Sequence, residues 1–273
     1  MLFTPMKSSF LSIGEELEAD GIKVKIVSYI DNGSSTEVYS AVNLKDQSRL
    51  AVKCMCHGEE GVLELICNEF EKLKYLNKFV KISEKFSKNS EICLYLILPL
   101  YGRDMYRLVS RPGLFNVPII NGHHTPTGAA GYSIEIFLAS AGLVVIREID
   151  KLHSAGVIHG DIHSYNVVTG AGDDLESLHL IDFGSAKFTH DFTGPERIKK
   201  RDFKRVGEMI QFLIDYKIEL TYGRDAISRL SRLNELHIMI KADHLNIENV
   251  LKKYLEDRKF HFMGAPILVR ETL

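Results

Sequence analysis

The sequence predicts an α+β fold, with a small β-rich N-terminal lobe that contains one helix and a larger, mainly helical C-terminal lobe. Within the first hundred residues several short stretches are strand-like, and in the first of them Ile22, Val24 and Ile26 alternate with lysines, a period of two that is typical of strands. Beyond residue 133 most apolar residues recur every three or four positions, which indicates helices. The sequence shows no internal repeats. The change from a strand-like to a helix-like pattern therefore predicts two lobes rather than a repeat architecture.

Composition and charge narrow the class of protein. The 273 residues are 45% apolar and 26% charged, as in ordinary globular proteins. The net charge is −2, so no general basic field attracts nucleic acid or an anionic membrane. The longest nearly apolar stretch, residues 136–146, is too short to cross a bilayer, and no apolar signal segment opens the chain. We expect an intracellular protein, cytoplasmic or nuclear, that binds neither membrane nor nucleic acid.

All four cysteines lie within the first hundred residues: Cys54, Cys56, Cys67 and Cys93. They are too few for a disulfide framework in a protein of this length. The spacing of Cys54 and Cys56 does not match a zinc site. We expect reduced thiols that are partly buried.

The N-terminal lobe is predicted to consist of five strands and one helix. Residues 1–20 have a weak pattern and are expected to form an N-terminal extension. Strands are predicted at residues 22–26, 38–42, 49–54, 80–86 and 92–98, and the helix at residues 62–75.

The C-terminal lobe begins with a segment rich in turn-forming residues. Residues 111–133 contain three of the seven prolines and four of the twenty glycines, which predicts a long loop or insertion. A helix is predicted at residues 134–154, short strands at 167–168 and 178–181, and helices from residue 203 onward.

Two short polar loops contain the residues best suited to chemistry. The first is His159-Gly160-Asp161-Ile162-His163-Ser164-Tyr165-Asn166, and the second, sixteen residues after Asn166, is Asp182-Phe183-Gly184. Their two acids and one carboxamide supply oxygen ligands of the kind that hard cations prefer. A lone Asp-Phe-Gly is weak evidence, but the two loops together are much more specific.

These loops, in this order, resemble those of the protein-kinase-like phosphotransferase family, over about residues 29–260. The resemblance implies a bilobal kinase domain over residues 21–273, with an N-lobe at 21–98, a hinge at 99–102 and a C-lobe at 103–273. It implies that Asp161 orients the attacking hydroxyl or accepts its proton. It also implies ATP as cofactor, with Asn166 and Asp182 holding Mg²⁺ or Mn²⁺ at the triphosphate.

A lysine and a glutamate in the N-lobe extend the resemblance. Lys53, in Leu50-Ala51-Val52-Lys53, stands where the family places the lysine that contacts the nucleotide phosphates. Sixteen residues later Glu69 matches the glutamate that pairs with it. Glu64 and Glu71 are the competing partners, but the register with apolar Leu73 favours Glu69.

The predicted nucleotide-binding segments depart partly from the family pattern. Residues 31–38 occupy the place of the glycine-rich phosphate loop, yet only Gly33 remains of its three glycines, so we expect weakened nucleotide affinity. Residues 97–102 resemble the hinge that reads adenine. The resemblance implies that the Pro99 carbonyl and the Tyr101 N–H contact the base, that Leu98 lies behind it, and that Val38 and Ala51 cover it.

Further departures concern regulation and substrate. Gly160 replaces the arginine that pairs with a phosphorylated activation loop in many family members, and the segment from Asp182 to Gly194-Pro195-Glu196 is short. We therefore expect no phosphorylation switch. Thr189 matches the threonine that Ser/Thr-directed members place near the catalytic aspartate.

Three other features bear on the acceptor. His163 replaces a lysine near the γ-phosphate, as in relatives that phosphorylate small molecules, and in its protonated form neutralises transferred charge. Asp202 matches a residue that anchors the catalytic loop at the start of the central helix. The resemblance places the basic run at 197–205 beside the substrate groove, so we expect acidic or phosphorylated protein targets.

Three functions are compatible with these motifs. An active Ser/Thr protein kinase is preferred, because all five polar residues that phosphoryl transfer requires are present: Lys53, Glu69, Asp161, Asn166 and Asp182. A pseudokinase scaffold is the first alternative, supported by the glycine-poor phosphate loop. A small-molecule kinase is the second, supported by His163 and Gly160.

Overall fold

The computed structural model describes residues 10–33, 36–57, 63–88, 91–112, 115–116, 132–171, 174–232 and 234–258. The chain divides into two compact units. The first is Met1–Leu100 together with Phe183–Ala186, and the second is Tyr101–Asp182 together with Lys187–Leu273. The first unit is β-rich and the second mainly helical, which agrees with the predicted α+β class.

The first unit is built on a seven-stranded antiparallel sheet. Its strands are β1 (Glu16–Ala19), β2 (Ile22–Asn32), β3 (Thr36–Asn43), β4 (Arg49–His57), β5 (Lys81–Ile82), β6 (Phe86–Lys88) and β7 (Glu91–Pro99). They pair in the order β1-β2-β3-β4-β7-β5, and β6 also pairs with β7. The helix α1 (Glu64–Tyr75) lies between β4 and β5 in the chain. The single strand predicted at 80–86 is therefore two short strands on β7.

The alternating pattern buries one face of this sheet in an apolar core. Val24, Val52 and Ile97 are fully buried there, and Phe10 and Leu11 join the same core from the N-terminal side. Residues 10–19 therefore belong to the sheet unit, whereas the sequence predicts an extension over 1–20. Strand β1 is inconspicuous in the sequence because it is only four residues long. The boundary at residue 20 stays a prediction.

Two cysteines form a disulfide, which corrects the expectation of four reduced thiols. Cys56 on β4 and Cys93 on β7 lie directly opposite each other in the antiparallel ladder and are bonded. Cys54 is buried and Cys67 is half-buried, and neither of these two is disulfide-bonded. The sequence gives no sign of this bond, because the strand register brings together residues 37 positions apart.

The described helices of the second unit are α2 (Met105–Ser110), α3 (Ile134–Ser154), α4 (Glu196–Tyr222), α5 (Ile227–Leu230), α6 (Glu235–Ala242) and α7 (Ile247–Arg258). Its short strands pair as β8 (Phe115–Asn116) with β9 (Tyr132–Ser133), β10 (Val157–Ile158) with β13 (Lys187–Phe188), and β11 (Val167–Gly170) with β12 (Asp174–Leu180). Most of the predicted insertion at 111–133 lies outside the described residues. No helix within the described ranges is long and apolar enough to cross a membrane.

Helix α3 is the centre of the second unit, and glycine lets its neighbours approach closely. A Cβ atom at Gly142 would lie 2.6 Å from Leu251 Cδ1 of α7 and 2.8 Å from Ile210 Cδ1 of α4. Helix α4 begins at Glu196, earlier than the start near residue 202 that the sequence predicts. Its first turns are almost entirely charged, so they show no apolar period.

Candidate active site

The first unit contains a buried ion pair between strand β4 and helix α1. Lys53 Nζ lies 2.6 Å from Glu69 Oε2, and the two side chains are only 11% and 3% exposed. Glu64 and Glu71 are exposed on other faces of α1. The register of the helix therefore selects Glu69, as the sequence predicts. Burial makes the pair interdependent, because removing one partner leaves an uncompensated charge in the interior.

Helix α1 also holds the segment that follows Asp182 in the chain. The second carboxylate oxygen of Glu69 accepts a hydrogen bond from Phe183 N at 3.4 Å. Asn68 Nδ2 donates to the carbonyls of Gly184 and Ala186 at 2.8 and 3.0 Å, and Lys72 Nζ donates to Asn68 Oδ1 at 2.8 Å. Asn68 and Lys72 are positioning residues that the sequence does not reveal. Their only signal is a polar side chain next to the buried face of an amphipathic helix.

One face of the sheet gathers four residues predicted to bind ATP. Val38 is directly opposite Lys53, and Ala51 is directly opposite Leu98. Because side chains two positions apart point to the same face, all four share the face opposite the apolar core. The structure thus brings together the side chains that the resemblance assigns to the phosphates and the base.

The remaining predicted nucleotide contacts are backbone groups. Gly33 N donates to Thr36 O at 2.8 Å in the turn between β2 and β3, and a Cβ at Gly33 would lie 2.7 Å from Thr36 Oγ1. Residues 34–35 lie outside the described residues. Pro99 is the last residue of β7. Tyr101 belongs to the second unit, where its ring stacks on that of His179 with 4.5 Å between the ring centroids. Their contacts with adenine stay predictions.

The catalytic-loop segment of the second unit is anchored on helix α4. Asp202, which is 1% exposed, accepts hydrogen bonds from His159 N and Gly160 N, both at 3.0 Å. His153 Nε2 also lies 3.0 Å from the Asp202 carboxylate. The predicted anchoring by Asp202 is confirmed. Gly160 has φ +81°, a left-handed conformation that favours glycine, which explains why no arginine stands there.

His159 links the two polar loops from within the core. Its Nδ1 accepts a hydrogen bond from Asp161 N at 3.3 Å, and its Nε2 donates to Ile181 O at 3.0 Å. Burial lowers the pKa of His159, which agrees with this neutral form, although the nearby carboxylates of Asp202, Asp182 and Asp161 act in the opposite direction. Because His159 contacts the residue before Asp182, it positions both loops together.

Asp161, His163 and Asn166 form one cluster. Asn166 Nδ2 lies 3.0 Å from Asp161 O, 3.3 Å from Asp161 Oδ2 and 3.0 Å from His163 Nε2. The N–H of Tyr165 points to His163 Nδ1 at 3.3 Å, so the ring nitrogen that faces Asp161 is Nε2. That atom is 3.4 Å from Asp161 Oδ2. His163 therefore contacts the carboxylate of Asp161, which is half exposed.

Asn166 and Asp182 have the right chemistry for a hard cation. The amide nitrogen of Asn166 faces the oxygens of Asp161, so its Oδ1 is the atom left for a ligand, and it has no hydrogen-bond donor among the described residues. Asp182 adopts φ +63°, which aspartate tolerates better than most residues. Within the described ranges no three His, Cys, Asp or Glu side chains form a metal-binding group.

Thr189 is the remaining predicted catalytic residue. It begins a 3₁₀ turn at Thr189–Asp191, and its backbone N donates to Gly156 O at 2.8 Å. Within the described part of the chain its hydroxyl makes no hydrogen bond to Asp161. Its role stays a prediction.

Comparison with known proteins identifies the class to which this fold and these loops belong. Residues 24–202 match the family model described as the protein kinase domain, which is more than half of the chain. The chain belongs to the protein kinase family.

Individual relatives are distant. The chain is 28% identical over 164 residues to the probable serine/threonine-protein kinase mps1 of Dictyostelium discoideum, covering 59% of this chain and 15% of that protein. It is 24% identical over 171 residues to the probable serine/threonine-protein kinase fhkA of the same organism, covering 59% and 26%. The chain thus spans only a minor part of these relatives.

A solved structure, of vaccinia related kinase 3, matches with a TM-score of 0.55 at 12% identity, covering 91% of this chain and 92% of that chain. This likeness confirms the predicted bilobal kinase fold.

Proposed function

We propose that this protein is an active ATP-dependent protein kinase that phosphorylates serine or threonine. The observation that carries the proposal is the complete polar set. Lys53 and Glu69 form their ion pair in the first unit. In the second unit Asp161 and Asn166 are in contact, and Asp182 acts with Asp161 on the pKa of His159. A scaffold that no longer catalyses has no need to retain all five groups.

Each group has a role in the proposed reaction. Lys53, oriented by Glu69, binds the nucleotide phosphates, and the sheet face with Val38, Ala51 and Leu98 contacts the base. Gly33 lets backbone approach the phosphates, and Pro99 and Tyr101 offer backbone groups to adenine. Asn166 and Asp182 hold Mg²⁺ or Mn²⁺, which supplies positive charge against the triphosphate when bound.

Asp161 acts on the acceptor. The hydroxyl oxygen of the substrate forms a bond to the γ-phosphorus, the bond from that phosphorus to the β–γ bridging oxygen breaks, and ADP leaves with the electron pair. The hydroxyl proton passes to Asp161. The contact of His163 Nε2 with Asp161 Oδ2 supports an orienting role for His163.

We propose that the kinase needs no activation-loop phosphorylation. Gly160 stands where a phosphate-binding arginine would be required, and its positive φ and its hydrogen bond to Asp202 support a glycine at that position. The names of the two Dictyostelium relatives support serine or threonine as acceptor, with Thr189 as the proposed specificity residue.

The proposed setting is intracellular, cytoplasmic or nuclear, where ATP is available, and the proposed partner is a protein substrate that is acidic or phosphorylated near its target. The Cys56–Cys93 disulfide is the observation against this setting, because disulfides are rare in reducing compartments. The reduced protein must therefore be active as well.

A labelling experiment tests the function. The purified chain is incubated with γ-labelled ATP, Mg²⁺ or Mn²⁺ and a panel of acidic and basic proteins, with Asp161→Asn as the blank. We expect label on serine or threonine that is absent from the blank. ATP binding in a thermal shift assay without labelled protein would contradict the proposal. Phosphorylation of a panel of metabolites would then distinguish a small-molecule kinase from a pseudokinase. The single glycine of the phosphate loop favours the pseudokinase.

A further inference from the structure

The second unit exposes a stacked aromatic cluster at its surface. Tyr106 of α2 lies 4.7 Å from Tyr165 and 4.4 Å from Tyr216 of α4, measured between ring centroids. Phe212 lies one turn before Tyr216 and stacks with it at 6.2 Å. Tyr165 and Phe212 are each 46% exposed. A contiguous aromatic patch that is exposed on a protein surface usually marks a binding site.

This aromatic cluster is fixed in place and adjoins the catalytic loop. Tyr165 directly precedes Asn166, and its ring lies 6.0 Å from the ring of His163. Tyr106 N donates to Ser164 O at 3.3 Å, and Ser110 Oγ hydrogen-bonds Tyr216 OH at 3.2 Å. The pKa of Tyr106 is raised, chiefly by its hydrogen bond to Tyr216 and to a lesser extent by desolvation. The hydroxyls of Tyr106 and Tyr216 are therefore hydrogen-bonded to each other. The cluster therefore adjoins His163, which contacts the carboxylate of Asp161.

The first turns of α4 contribute positive charge to the same helix face. Arg197 and Arg201 are exposed and make no ion pair within the described residues, whereas Arg205 is paired with Glu208. At about 100° per residue, Arg197, Arg201, Phe212 and Tyr216 fall within an arc of about 100°. We call this face, with Tyr106 and Tyr165 beside its aromatic end, the α4 stripe. It is about 28 Å long, enough for eight or nine extended residues.

We propose that the α4 stripe docks the protein substrate, and that the preferred acceptor site has acidic residues on one side and an aromatic residue on the other. This inference rests on the proposed function. Asp202 supports residues 159–160 of the catalytic loop near the basic end, and Tyr165 meets the aromatic end. Asp161 lies between these points in the chain. In the proposed arrangement the acceptor hydroxyl is flanked by a cationic and an aromatic surface.

The stacking of the aromatic rings in the α4 stripe favours a peptide ligand over single-stranded nucleic acid. Bases stack on open aromatic faces, but these rings stack on one another at 4.4 to 4.7 Å. An acidic peptide needs only the two unpaired arginines, and its aromatic side chain packs against the edges of Phe212 and Tyr165.

Steady-state kinetics with matched serine peptides tests the docking. One peptide has acidic residues on one side of the serine and phenylalanine on the other; a second replaces phenylalanine by alanine, and a third replaces the acids by lysine. Wild type should prefer the first by about tenfold in kcat/KM. Phe212→Ala should raise KM for the first peptide about fivefold, leave kcat and the KM for ATP unchanged, and abolish discrimination against the second. Arg201→Glu should abolish discrimination against the third.

Controls separate a local effect from general damage. Phe79→Ala removes an exposed aromatic ring outside the stripe, and Lys25→Glu reverses an exposed charge outside it; both should behave as wild type. Equal KM values for wild type and Phe212→Ala with all three peptides overturn the docking proposal while the kinase function stands.

A binding assay covers the case in which no peptide is phosphorylated. Fluorescence anisotropy with the first peptide should then show binding that Phe212→Ala weakens, and in that outcome the docking surface stands while the kinase function fails. Tighter binding of a labelled thymidine oligonucleotide than of any peptide, lost in Arg201→Glu, overturns docking of a peptide.

Discussion

At Asp182 both the backbone conformation and the proposed chemistry favour an aspartate. Its φ of +63° lies in the left-handed region, where aspartate and asparagine are tolerated better than other side chains that carry a Cβ. Its carboxylate is at the same time the proposed metal ligand. Substitutions that preserve one property and remove the other can therefore separate structure from catalysis.

We predict different stabilities but equal inactivity for Asp182→Asn and Asp182→Ala. Both variants lose the charged metal ligand, so phosphate transfer should fall at least a hundredfold. Asparagine tolerates the left-handed backbone, whereas alanine should cost about 1 kcal/mol more in unfolding free energy. Transfer of γ-label and thermal unfolding measure the two effects. Near wild-type transfer by Asp182→Asn would show that the metal assignment is wrong.

His159 makes the stability of the second unit dependent on pH. Burial lowers its pKa below the ordinary value of 6.5, so the unfolded chain binds a proton more readily than the folded one. Its contribution to stability is complete above pH 6.5 and is lost as the pH falls toward the folded pKa.

We expect the unfolding temperature of the wild type to fall between pH 7 and pH 5, and this fall to be smaller in His159→Gln. Glutamine retains a donor and an acceptor but does not titrate, although it should lower stability at pH 7. His190→Gln is the control, because His190 is exposed. Thermal unfolding across this pH range measures the effect. Identical pH slopes for wild type and His159→Gln would exclude His159 as the cause.

At the scale of elements, the disulfide between β4 and β7 crosslinks the strand that contains Lys53 to its neighbour. Cys56 and Cys93 are opposite in the ladder, and the bond closes a loop of 37 residues. In the chain-entropy model a loop of this size stabilises the folded state by about 4 kcal/mol. The position of Lys53 on β4 does not depend on the bond, because the ladder of β4 with β3 and β7 continues on both sides of it.

Reduction should therefore lower the unfolding temperature by about 10 °C without abolishing phosphate transfer. The double variant Cys56→Ser/Cys93→Ser should unfold at the temperature of the reduced wild type and should not respond to reductant. Cys67→Ser is the control and should respond as the wild type does. An unfolding temperature of the wild type that is the same with and without reductant would contradict the expected stabilisation.

The elements that the sequence predicts best have strong periodicity. Helix α3 is predicted with the bounds that the structure has, Ile134–Ser154, because its apolar residues recur over five turns. The sequence misses β1 and α2, which are four and six residues long, and the charged first turns of α4. Short or charged elements depend on tertiary contacts, which leave no periodic trace.

The same reasoning applies to the candidate site. The register of α1 is sufficient to pair Lys53 with Glu69, because the pair involves one strand and one amphipathic helix. The contacts of Asn68 cannot be predicted from the sequence, because its hydrogen-bond partners are carbonyl groups 116 and 118 positions away. The His159 contact with Ile181 O is hidden for the same reason. Side chains that bind backbone are invisible until the fold brings the two segments together.

At the scale of the whole molecule, the proposed machinery is divided between the two units. Lys53, Glu69 and the segment Phe183–Ala186 belong to the first, and Asp161, Asn166 and Asp182 belong to the second. Binding of the nucleotide phosphates by Lys53 and action on the acceptor hydroxyl by Asp161 are therefore assigned to different units. Variants of each unit should separate the two properties.

We predict that Mg²⁺ with ATP raises the unfolding temperature of wild type and of Asp161→Asn alike, but much less that of Lys53→Met. Asp161 acts on the acceptor hydroxyl, so its loss should leave nucleotide affinity intact while phosphate transfer falls at least a thousandfold. Lys53 contacts the phosphates, so its loss should reduce the stabilisation, which grows with the logarithm of ligand concentration over Kd. An ATP titration followed by thermal unfolding gives an apparent Kd for each protein. Lys151→Met is the control, because Lys151 is exposed and, among the described residues, forms an ion pair only with Glu148. An equal shift for Lys53→Met and wild type would remove Lys53 from the nucleotide site, and loss of the shift in Asp161→Asn would mean that Asp161 binds the nucleotide itself.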